Sequence, residues 1–71
     1  MNPLKVRYIY EFHYGGLVKP VWELSQPLVF SVGDHAQGKA IGDHYWSVYK
    51  VEHFLEELGD SVVCKTCIHL H

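Results

Sequence analysis

The run Cys67-Ile68-His69-Leu70-His71 places one thiol and two imidazoles at alternate positions. Thiolate sulfur and imidazole nitrogen are the donors that zinc favours. On an extended strand alternate side chains share a face and follow one another at ~7 Å. That spacing is wide for three ligands of a single ion, and a closed structural site needs four. Cys67, His69 and His71 are therefore the candidate metal residues, with His13 or His53 available to complete a set. The plainer reading is a strand end whose two histidines sit in water.

Two other spacings invite chemistry. Cys64-Lys65-Thr66-Cys67 has the separation of a redox pair. Such pairs depend on a helix N-terminus that lowers the first thiol's pKa, within a strand–helix–strand unit. Here the pair lies inside an alternating, strand-like run, where the two thiols point to opposite faces and do not bridge. Cys64 then reads as a small core hydrophobe and Cys67 as a surface thiol. The tripeptide Gly-Asp-His occurs at Gly33-Asp34-His35 and again at Gly42-Asp43-His44. Facing carboxylate–imidazole pairs could bind a metal or move a proton, although turn formation by Gly and Asp accounts for both copies. With no nucleophile, phosphate loop or complete ligand set, no catalytic residue and no cofactor are expected.

The elements that would position these side chains are strands. From Ser61 onward Val62, Cys64, Thr66, Ile68 and Leu70 form one face, and Val63, Lys65, Cys67, His69 and His71 form the other. The first set is expected in the core, and the second in solvent. The partner strand is Tyr45 to Leu55, in which Trp46 and Val48 share one parity and Val51, His53 and Leu55 the other. One bulged residue at Tyr49 or Lys50 brings both sets onto one face. Glu57 to Asp60 supplies the turn. The alternative is a helix over 47–58, because Val48, Val51, Leu55 and Leu58 also fall at helical spacing. The aromatic and β-branched start of that segment favours the strand.

At the other end, Leu4 to Tyr14 alternates clearly: Val6, Tyr8, Tyr10, Phe12 and Tyr14 follow Leu4 on one face, with Lys5, Arg7, Ile9, Glu11 and His13 on the other. Gly15-Gly16 is a two-residue hairpin signal, and the chain should return from Leu17 to Leu24. Pro20 cannot donate to a ladder, so that return strand belongs at a sheet edge. Leu28 to Val32 is a further short apolar run, and 35–43 reads as a loop. Five strands joined by tight turns suggest residues 1–71 form a single small all-β domain. The expected form is an antiparallel meander rolled into a partly open, SH3-like barrel. If the helix over 47–58 formed instead, the domain would be α+β.

Composition bounds the function. The chain has 71 residues, a formal charge of −2 and 14% aromatics, which suits a compact core and lacks the basic field of a non-specific nucleic-acid or membrane binder. Tyrosines alternate with Lys5 and Arg7, so rings and charges lie on opposite faces, unlike a base-stacking platform. The start lacks the apolar run of a signal peptide and no segment reads as a membrane span. Two cysteines are too few for a disulfide scaffold, and a cytoplasmic setting with reduced thiols is expected. The expected role is a non-enzymatic protein–protein interaction module, with a protein partner that includes a second copy of the chain. Ile9, Phe54 and Val63, apolar on the outer face, are the candidate binding residues. Zinc binding is the alternative, and a nucleic-acid-binding small barrel ranks below it.

Overall fold

The computed structural model describes residues 5–71; Leu4, expected at the start of the first strand, lies outside them. The strands are β1 (Lys5–Tyr14), β2 (Leu17–Leu24), β3 (His35–Ala36), β4 (Trp46–Leu58) and β5 (Ser61–Leu70), with one 3₁₀ turn at Lys39–Ile41. They form one sheet in the order β2-β1-β5-β4-β3, curled into a half-barrel.

The two expected hairpins are present. Tyr14 pairs with Leu17 across Gly15-Gly16, both glycines at positive φ, which a tight two-residue turn of this hand requires. Leu58 pairs with Ser61 across Gly59-Asp60. The segment 47–58 is strand, and the register slips between Val48 and Lys50, leaving Tyr49 as the bulged residue. The slip lets Val48 and Val51 oppose Leu70 and Ile68 on one face. The β-branched and aromatic side chains of this segment settle on the pleated surface, and the competing helix does not form.

Two details differ from a simple meander. First, β1 and β5 pair in parallel from Lys5↔Ser61 to His13↔His69, so the sheet is mixed. Each terminal hairpin is antiparallel, and because their turns lie at opposite ends of the sheet the inner strands run together. Second, Leu28–Val32 is not a strand. It belongs to a long connection that folds over the core face, and the short third strand is His35–Ala36. Pro20 sits where the β1–β2 register breaks, on the edge strand that its missing N–H demands.

The core lies between the sheet and this connection. Tyr10, Phe12, Val48, Ile68 and Leu70 from the sheet bury together with Ile41 of the 3₁₀ turn. Phe30 closes on Phe12 at 5.8 Å between ring centroids, and Trp22 meets Phe12 edge-on at 5.2 Å. The connection is tied down by polar bonds: Leu28 N donates to the Tyr10 hydroxyl, and Trp46 Nε1 donates to the Ile41 carbonyl at 2.7 Å. Bonds between Val48 and the Gly33-Asp34 backbone fasten it to β4.

Candidate functional site

The outer face of the sheet gathers most of the chemistry. Because β1 and β5 run in parallel register, Glu11 lies opposite Cys67 and His13 opposite His69, while Glu52 of β4 flanks Cys67 on the other side. Glu11-Phe12-His13 and Cys67-Ile68-His69 each repeat an acid-or-thiol, apolar, imidazole order, so their polar side chains fall into one cluster. Glu11 Oε1 accepts from His13 Nε2 at 3.3 Å and from the Cys67 thiol at 3.5 Å. His69 Nε2 donates to Glu52 Oε1 at 2.7 Å, and Lys50 Nζ stands 3.7 Å from the other carboxylate oxygen. The His13 and His69 rings lie 4.7 Å apart.

Cys67 is only 5% exposed, which corrects its expected place in water. The alternation assigns it to the outer face correctly. A short side chain at the centre of a sheet is, however, roofed by its longer neighbours Glu11 and Glu52. Burial pushes its thiol pKa up, and the hydrogen bond to Glu11 pushes the same way. Hydrogen bonding from His69 draws the Glu52 carboxyl below the usual carboxylate range, with Lys50 assisting.

Of the sequence-derived metal residues, Cys67 and His69 share this cluster, while His71 follows the end of β5 and packs edge-on against Tyr49 at 5.0 Å. Among the described residues, the group of potential ligands whose donor atoms converge within 4.8 Å is Glu11, His13 and Cys67. His13 is a contributor the sequence offers, whereas Glu11 is not singled out by it. The signal for Glu11 is its Glu-x-His alternation, but linking it to Cys67 needs the parallel pairing of β1 with β5, which no turn between them announces. His53 faces the core side and meets Thr66 Oγ1 at 3.1 Å.

The remaining motifs resolve simply. Both cysteines are free: Cys64 opposes Tyr8 and Leu55 on the core face, and Cys67 lies on the other. Asp34 accepts from the Ser31 amide at 2.8 Å, as a turn-forming Asp does. His35 stacks on Tyr45, and His44 meets Trp46 edge-on at 4.5 Å. Each imidazole of the repeated tripeptide thus has an aromatic neighbour.

Ile9, Phe54 and Val63 do come together. They line one shallow depression on the outer face with Lys65, whose ammonium lies 5.4 Å from the Phe54 ring centre. Val63 forms its floor and is 8% exposed, so it is not a surface residue as the sequence implied; Phe54 is 48% exposed. The depression runs out to the free side of β4, where Leu55 is 74% exposed and Leu58 47%.

Among the described residues, that side of β4 has no neighbour for most of its length. β3 pairs only with Trp46 and Ser47, and among the described residues nothing pairs with the outer edge from Val51 to Leu58. The backbone polarity of this edge follows from one bond. Lys5 N donates to the Asp60 carbonyl, so Asp60 and Val62 address β1 while Ser61 addresses Leu58 on β4. Counting back by twos, Glu56, Phe54 and Glu52 bond toward β5, whereas Glu57, Leu55, His53 and Val51 turn their N–H and C=O groups to the open side.

No protein-family model, curated protein or solved structure matches this chain. Among the described residues no helix is long and apolar enough to cross a membrane.

Proposed function

We propose that the protein is a non-enzymatic interaction module that pairs with a second copy of itself, edge to edge, through Val51–Leu58 of β4. The observation that carries this reading is the unpaired edge of a long strand whose exposed side chains include Phe54, Leu55 and Leu58. A row of free donors and acceptors beside apolar side chains is a template for strand addition. The apolar depression formed by Ile9, Phe54 and Val63 adjoins that edge and adds side-chain contact to backbone bonding.

The occupant follows from charge. In an antiparallel pair about a twofold axis at Leu55, that residue meets its own copy, and Phe54 faces Glu56. His53 then faces Glu57, and Glu52 faces Leu58. No like charges oppose one another. Moving the axis to Phe54 sets Glu52 against Glu56, and moving it to Glu56 sets that glutamate against itself; both juxtapositions destabilise a sheet. In the favoured register Leu55 and its copy exchange both backbone bonds, because their amides address the open side. The acidic residues thus favour the Leu55 register over its two neighbours. On this reading the half-barrel is a scaffold for contact, in a cytoplasmic setting that leaves its thiols reduced.

Sedimentation of the full chain over a range of concentrations tests the proposal. A monomer–dimer equilibrium is expected, with Leu55→Pro monomeric yet folded, because only an outward-facing donor is removed. Glu56→Pro deletes a donor that serves the β4–β5 ladder and should lose the fold itself. A wild-type chain that stays monomeric to its solubility limit, or a Leu55→Pro variant that associates like the wild type, would overturn it.

A further inference from the structure

We infer that Glu11, His13 and Cys67 form a binding site for a divalent ion of zinc's preferences. The site is independent of the self-association proposed above. Three different donors, from two strands far apart in sequence, have atoms within 4.8 Å of one another. These hydrogen-bond separations also match those between the ligands of a metal. A tetrahedral centre with bonds of about 2.0 Å to nitrogen or oxygen and about 2.3 Å to sulfur holds its ligands roughly 3.3–3.6 Å apart. Glu11 Oε1 lies 3.3 Å from His13 Nε2 and 3.5 Å from Cys67 Sγ. Two edges of the tetrahedron therefore match, and the third pair, His13 and Cys67, lies within 4.8 Å.

Donor chemistry selects the ion. One sulfur, one imidazole nitrogen and one carboxylate oxygen suit zinc, and the sulfur disfavours magnesium and calcium. Charge balance agrees: a thiolate and a carboxylate carry two negative charges into a largely covered spot, and a dication neutralises them. On binding, the Cys67 thiol gives its proton to solvent and its sulfur to the metal. Three protein ligands leave one position open. His69 Nε2 is committed to Glu52, so that position is left to water, the arrangement of zinc sites that exchange ligands.

The sheet pre-positions the donors. Glu11 and Cys67 are cross-strand partners on the parallel β1–β5 ladder, and His13 follows two residues on, over His69. Forming the site needs side-chain adjustment and no backbone movement.

Cobalt(II) titration of tag-free full-length protein, after treatment with chelator and reductant, tests the site directly. The expected result is one equivalent bound, with a thiolate-to-cobalt charge-transfer band in the near ultraviolet and visible bands of tetrahedral intensity. Zinc should bleach both by displacement. Cys67→Ser should abolish the charge-transfer band. Glu11→Gln and His13→Ala, whose side chains are not core, should each weaken cobalt binding at least tenfold, with His71→Ala and Cys64→Ser unchanged. Absence of the band in the wild type, its dependence on Cys64, or undiminished affinity in both Glu11→Gln and His13→Ala would overturn the site.

Discussion

The two ends of the sheet are built to different standards. At the end containing Tyr10, Phe12, Val48, Ile68 and Leu70, the core face is covered by the connection that carries Phe30 and Ile41. At the other end, toward the turn at Gly59-Asp60, Leu55 of β4 on the same face is 74% exposed and Leu58 on the opposite face 47%. The molecule is accordingly long, 45 × 20 × 20 Å. One strand, β4, passes through both regimes. Its first residues are paired on both sides, and its later ones on one side only. The lesson is that β4–β5 holds its distal half by backbone pairing and short-range contact, whereas the proximal half has a core. A half without a core gains most from a second chain.

The largest effect should come from attacking that division at its stronger side. Ile68 is fully buried at the centre of the core, and Ile68→Ala should cost about 2–5 kcal/mol by chemical denaturation. Leu55→Ala, the same kind of truncation on the next strand, should change the stability of the dilute monomer by less than about 0.5 kcal/mol. Equal losses at the two positions would show that the distal half is packed and would remove the contrast. At higher concentration Leu55→Ala should matter, because there the side chain meets its own copy.

How much of this was legible beforehand depends on the range of the contact. Strand faces, both tight turns and the bulge at Tyr49 follow from alternation and from where Gly15-Gly16 and Gly59-Asp60 fall, all of which are local. The parallel pairing of β1 with β5 is not local, since the two strands are joined through everything between them. Without it Glu11 and Cys67 have no reason to meet. Exposure on the outer face escapes the sequence for a related reason. Cys67 and Val63 are short side chains on the central strand, and their cover comes from β1 and β4 neighbours whose identity depends on sheet order. Leu28–Val32 reads as a strand in the sequence because an apolar run is equally suited to covering a core as to pairing.

A smaller effect should be found at the free edge, where the test concerns association and leaves the monomer alone. With the axis at Leu55, each dimer contains two His53–Glu57 pairs. Cross-strand charge pairs contribute about 0.2–1 kcal/mol each, so Glu57→Lys should weaken dimerisation measurably without moving the monomer's thermal midpoint. Adding His53→Glu to that variant reverses the polarity of the pair and should restore the affinity. Restoration is the informative outcome, because a general loss of solubility or fold would not be repaired by a second charge change. If the double variant associates no better than the single one, the register is wrong even if the edge is right.

The smallest effect lies at the boundary between the halves, where Glu52 opposes Cys67 on β5 and receives a hydrogen bond from His69. Its carboxyl is held below the usual range in the folded chain, so folding favours the ionised form. The contribution is present above the unfolded-state pKa of about 4.3. It is lost as the pH falls through the lower folded-state value, where the native carboxylate also takes up its proton. Glu52→Gln should therefore flatten part of the acid limb of a melting-temperature profile recorded with chelator present, and leave the profile near neutrality parallel to the wild type. The carboxylate is accessible to water and its partners are screened, so the change should be slight compared with that of Ile68→Ala. A Glu52→Gln variant whose acid limb superimposes on the wild type would mean that the His69 contact is geometric and carries no stabilising charge interaction.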